Sequence, residues 1–327
     1  AAAGGGGAGG LKRWNESALP ADEARMNLAR SVAEWVLEAL PYDRSDPDVV
    51  AALQGKNPTE LLVLYLNWLH RLVPVRPREV LRSVEFQQNP LSVERSDVIS
   101  QIVDDIEQGR DLTRYLSRRV QTGFALPSNL SKKKLNQIRH LDLLLNDWQI
   151  HHLHLSTSAA ADGFVQRDDP LLFVMFRYNK AYFLDIGTHR CFADDRLVQV
   201  AVANWPEENL FVPLVGIVPP RGPTWSTAER AQLRAVGITS LVRIGSRIFA
   251  QPGGISSAGT SGKVSIYTGR IMRTLNKFEE DVRRDPSQII ELIRQHGGEP
   301  REKPVFKFAM FESGYGVIEI QSRALIK

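Results

Sequence analysis

One cysteine, Cys191, stands among the 327 residues. A lone thiol forms no internal disulfide and supplies no cysteine-only zinc or iron–sulfur site. Nothing therefore argues for the oxidising compartments where disulfide frameworks persist. No apolar run reaches the roughly 18 residues that a membrane-spanning helix needs. The basic, apolar and small-residue sequence of a secretory signal is also missing. The expectation is a cytoplasmic protein with no membrane partner. Excess charge of one sign is small: the formal net charge is +4. That permits contact with nucleic acid without requiring it.

What is present is ordinary for a folded chain: 43% hydrophobic and 24% charged residues. The length predicts two or three domains. The opening AAAGGGGAGG is of low complexity. Residues 1–20 read as a flexible linker or an artificial extension.

The fold class expected is α+β: a helical N-terminal region, then two small α+β units with mainly antiparallel strands. The boundaries fall at 21–130, 131–210 and 211–327. Helical spacing of apolar residues marks 21–40, 61–73 and 96–109. Residues 76–86 fit helix or strand equally. A helix from Ser131 to about Asn146 precedes strands at 150–156, 171–177 and 181–186. The last two are joined by the short turn Tyr178-Asn179-Lys180. A helix follows at 194–204. The C-terminal part predicts a helix at 226–236 and short strands at 241–244 and 247–250. Helices at 264–282 and 287–296 come next, then a hairpin from Phe306 to Ile320 turning at Glu312-Ser313-Gly314.

Four of the seven histidines lie between His151 and His189. Alternate strand residues share a face, so His152 and His154 point together, away from His151. They stand roughly 7 Å apart along the backbone. His189 ends the third strand and Arg167 precedes the second, so pairing of these strands brings both near. Two chemistries suit the group. In metal-free RNA cleavage, imidazoles move protons at the 2′- and 5′-oxygens and a guanidinium holds the phosphate. In a metal site, three imidazoles bind zinc or iron and leave a position for water. A third reading is structural: histidines half-buried and hydrogen-bonded within the fold.

Residues 111–140 carry Arg114, Arg118, Arg119, Lys132, Lys133, Lys134 and Arg139 against one acid, Asp111. Such a patch suits a phosphate backbone, and it equally suits a solvated surface. The run from Gly253 to Lys263 imitates a phosphate loop but fails its pattern. Ser257 stands where the first glycine belongs, and Val264 follows the lysine. It reads as a structural loop. Asp168-Asp169 reads as a turn, and Asp194 or Asp195 as a helix cap. Trp148 and Trp205 read as packing anchors. Cys191 lies two residues from His189, poor geometry for a cysteine–histidine nucleophile.

Two resemblances bear on these alternatives. DLLLNDWQIHHLHLS (142–156), LLFVMF (171–176), ANWPE (203–207) and the stretch 234–261 resemble an uncharacterised bacterial family. Its members share a W-x-I-H-H-x-H-L strand and an N-W-P-E helix end. No activity comes with it. Arg167, the strands 171–177 and 181–186, His189 and Arg190 also resemble part of the RelE-like ribonuclease toxins. That likeness implies a small module acting on RNA as a toxin or defence effector. His152 and His154 would then share the acid–base work, Arg167 would hold phosphate, and His189 would assist. No cofactor and no metal enters that scheme, and the expected partners are RNA or another nucleic acid and a protein. The competing readings are a nucleic-acid-binding or scaffold subunit without activity, and a metal-dependent hydrolase with a three-histidine site.

Overall fold

The structure, a computed structural model, describes residues 26–126, 142–158, 160–167, 170–219, 222, 224–311 and 314–327. The described chain begins with α1 (Leu28–Ala39), α2 (Pro47–Gln54), α3 (Pro58–Leu69), β1 (Glu79–Arg82), α4 (Val84–Gln88), α5 (Pro90–Glu94) and α6 (Ser96–Glu107). Next come α7 (Leu143–Trp148), β2 (Ile150–His154), β3 (Leu171–Phe176), β4 (Lys180–Gly187), α8 (Arg196–Asn204) and β5 (Val212–Pro213). The remainder is α9 (Thr227–Ala235), β6 (Val242–Ile244), β7 (Arg247–Ala250), α10 (Gly262–Arg284), α11 (Ser287–Gln295), β8 (Phe306–Phe311), β9 (Gly314–Glu319) and β10 (Leu325–Ile326). The class is α+β, as expected. The ambiguous stretch 76–86 divides into β1 and α4, with the Ser83 hydroxyl accepting from Phe86 N–H at the helix start. The turn at Glu312-Ser313 and the basic helix from Ser131 fall mostly outside the described residues.

Two compact units divide the chain, and neither is a continuous segment. The first gathers the described residues of 26–40, 45–65 and 266–327. Its β8–β9–β10 sheet is antiparallel throughout. Leu28, Val32 and Val36 form the buried stripe of α1. Beside them the Ser31 hydroxyl accepts from Phe308 N–H at 2.8 Å, and Trp35 meets Tyr65 and Phe308 edge-on. The expected consecutive division at 130 and 210 is not followed. An apolar stripe such as that of α1 marks a buried face but not its partner, and here the partner is β8, some 270 residues on.

The second unit comprises residues 41–44 and 66–265. Its main sheet has the order β1–β4–β3–β2, with β1 parallel to β4 and the other pairs antiparallel. LLFVMF in β3 is apolar without interruption because both sheet faces are covered. Leu172 and Val174 join Leu153, Phe183, Ile102 and Ile106 on one side. Leu171, Phe173 and Met175 join Trp148, Leu184, Val198 and Phe211 on the other. A smaller sheet, β5–β7–β6, is antiparallel.

The glycine-rich loop is bolted into this unit. Gly253 and Gly254 N–H groups donate to the Asp147 carbonyl, and the Asn146 amide donates to Gly259 O. Ser261 N–H donates to the Asn67 side chain. The N–H groups of Gly253, Gly254, Ile255, Ser256, Gly259, Ser261, Gly262 and Lys263 are spent on the protein, as the structural reading expects. A Cβ on Gly253 would lie 2.1 Å from Asn146 O. Backbone cannot yield that much, so Gly253→Ala is expected to cost about 1–3 kcal/mol. Urea unfolding measures it, and an unchanged midpoint would contradict the packing.

Candidate functional site

Three elements of the second unit bring three imidazoles together. Asp142 opens α7, its Oδ1 accepting from Leu145 N–H. The helix ends after Trp148, and Gln149 takes a left-handed conformation (φ 58°) that turns the chain sharply into β2. Alternation along β2 then sets His152 and His154 on one face, with ring centroids 5.9 Å apart. The third ring, His189, starts the 3₁₀ turn His189–Ala193 just after β4. Its centroid lies 6.1 Å from each of the other two. The three rings form a nearly equilateral triangle. Phe192 packs against His152 and His189.

Exposure differs among the three rings. His152 and His154 are 8% and 3% exposed, whereas His189 is exposed. Asp142 Oδ2 lies 3.3 Å from His152 Nδ1, close enough to attract a charged ring but off the line of a hydrogen bond. Burial pushes the His152 ring below its ordinary value of 6.5. Asp142 opposes this, while His189, Arg167 and Arg119 act with burial. Both guanidiniums are thus within electrostatic reach of His152. Arg167 is exposed and donates to the Ser117 hydroxyl at 2.9 Å. Arg119 sits on the 3₁₀ turn Arg118–Gln121, and buried Arg71 grips its carbonyl and that of Thr122 just after the turn. Burial pulls Arg71 itself down to about 10.

The opposite face of β2 carries His151, against Phe176 at 5.3 Å. Burial holds His151 well below 6.5, and nearby His70 and His152 add to this. His70 is lowered too, burial outweighing a hydrogen bond with the Leu145 backbone. These rings are neutral in the fold but protonate in the unfolded chain near 6.5. Stability is therefore complete above that value and is lost as pH falls through it. The loss reaches about 1.4 kcal/mol per pH unit for each ring. Urea midpoints at pH 7.5 and 5.5 are expected to show the drop, and equal midpoints would contradict it.

The other basic residues are placed differently from a free patch. Arg114 pairs with buried Asp105 at 2.6 Å, and Arg118 with Asp162 at 2.5 Å. Lys132, Lys133, Lys134 and Arg139 lie outside the described residues, as do Asp168 and Asp169. Asp194 caps α8 through Arg196 N–H. Cys191 packs on Gly187. Among the described residues no group of three His, Cys, Asp or Glu side chains is set to hold a metal ion.

Sequence reasoning missed the support behind this cluster. Buried Arg234 donates from Nε to Asp147 at 2.7 Å and from Nη1 to Phe192 O. Buried Arg230 donates to Ala193 O at 3.0 Å and to Asp195. Two guanidiniums of α9 thus pin the end of the 3₁₀ turn that carries His189. Comparison with family models, with curated proteins and with solved structures finds no match to this chain.

Proposed function

We propose that this protein cleaves RNA by metal-free imidazole chemistry, in the manner implied by its local likeness to RelE-like toxins. The observation that carries the reading is the triangle of imidazoles, one ring open to solvent and two guanidiniums alongside. His152, held neutral by burial, accepts the proton of a ribose 2′-hydroxyl. The 2′-oxygen attacks phosphorus, the P–O5′ bond breaks, and a protonated imidazole supplies the leaving oxygen's proton. His189 suits that second role, because its exposed ring is the one open to a leaving group. His154, the third corner of the triangle, shares the acid–base work. Arg167 and Arg119 balance the phosphate's charge. The products are a 2′,3′-cyclic phosphate and a 5′-hydroxyl.

Incubation with single-stranded RNA in the presence of a chelator tests this. Cyclic phosphate ends that appear without added metal support it. Intact RNA in every sequence context tried would overturn it, and salt-dependent binding without turnover would favour a binding subunit instead. A metal-dependent hydrolase is the second reading, since rings with centroids about 6 Å apart need only modest rotation to converge on one ion. Retained zinc or iron together with chelator-sensitive activity would select it.

A further inference from the structure

The second unit carries a cleft away from the histidine triangle, beside the β6–β7 hairpin and α9. Its volume is about 390 Å³, within the range of small-molecule sites. Apolar side chains make most of the wall: Trp225, Leu233, Ile238, Leu241 and Ile248. None of its lining residues is acidic. Two polar groups in the lining are buried and incompletely used. Ser240, 5% exposed, has a hydroxyl with no hydrogen-bond partner among the described residues. Arg230, 1% exposed, spends its terminal nitrogens on Ala193 O, Asp195 and Trp225 O, but its Nε–H finds no partner among the described residues. Buried polar groups of native folds are nearly always paired, so two in one cleft call for a ligand acceptor.

We propose that this cleft binds a small apolar carboxylate, an aromatic or branched body seated on Trp225 and Ile238 with its oxygens on Ser240 Oγ–H and Arg230 Nε–H. The lining offers donors and a second guanidinium at Arg243, and the acid bonded to Arg230, Asp195, is not part of the lining. Arg230 also reaches Ala193 O, the end of the turn that begins at His189. Occupancy is therefore sensed at that ring, whatever reaction the ring performs.

The test uses the full chain, without RNA. 4-Phenylbutyrate and its uncharged amide are titrated by calorimetry and by NMR of the histidine rings. Saturable binding of the carboxylate, at least fivefold tighter than the amide, is expected, with a shift of the His189 signal. Ser240→Ala is expected to weaken binding threefold or more. Ile238→Trp, a change at an exposed position that fills the cleft, is expected to abolish it. No saturable binding of the carboxylate would overturn the proposal. So would binding that both substitutions leave unchanged, or carboxylate and amide binding alike.

Discussion

Arg234→Met is expected to destabilise the second unit by about 3–5 kcal/mol, the usual cost of leaving one buried charge without its partner. The Arg234 side chain is 2% exposed and that of Asp147 fully buried, and the two are joined at 2.7 Å. Burial raises the Asp147 carboxyl above its ordinary value, and Arg234 is the first influence opposing it. The guanidinium also lies 3.9 Å over the Trp148 ring and donates to Phe192 O. Among the described residues no other cation stands in hydrogen-bond contact with that carboxylate; its remaining side-chain partner there is the Thr239 hydroxyl at 3.4 Å. The double variant Asp147→Leu with Arg234→Met is expected to recover most of the loss, because two well-packed apolar groups need no pairing. Chemical unfolding of both variants measures this. A loss below about 1 kcal/mol in Arg234→Met would show that the pair is not buried as described.

His152→Ala is expected to lower RNA cleavage by about 10²–10⁴-fold, the range for removal of a general acid or base. His189→Ala is expected to fall in the same range. His189 is exposed, so its loss should leave the unfolding midpoint nearly unchanged and separate chemistry from folding. His151→Gln serves as the contrast, since that ring lies on the other face of β2 against Phe176. It should retain cleavage within a few-fold if folded. Folded His152→Ala and His189→Ala proteins that cleave at the original rate would remove the proposed reaction from this cluster.

Much of the second unit was legible because its signals are local. The unbroken apolar run of β3 announces a strand covered on both faces. The spacing of His152 and His154 fixes their common face, and the turn at Tyr178-Asn179 returns the chain so that His189 comes home to them. What stayed hidden depends on partners distant in sequence. Asp142 stands inside the helix expected from Ser131 to about Asn146, yet it caps α7, and its second oxygen faces His152 only after Gln149 has turned the chain. TAERAQLRA looks like a solvated helix, yet Arg230 and Arg234 point inward because Asp195, Asp147 and three carbonyls await them. The basic run suggested a free surface, whereas Arg114 and Arg118 are each held by an acid that composition counting did not place nearby.

The central claim is that three imidazoles from two separate segments form one anion-receiving site. Histidine ring NMR during titration with a ribonucleoside 3′-monophosphate, without metal, reads it directly. The signals of His152, His154 and His189 are expected to move together and saturate, while that of His296, exposed on a helix end in the other unit, stays still. Three unmoved rings, or four that drift alike without saturating, would contradict it.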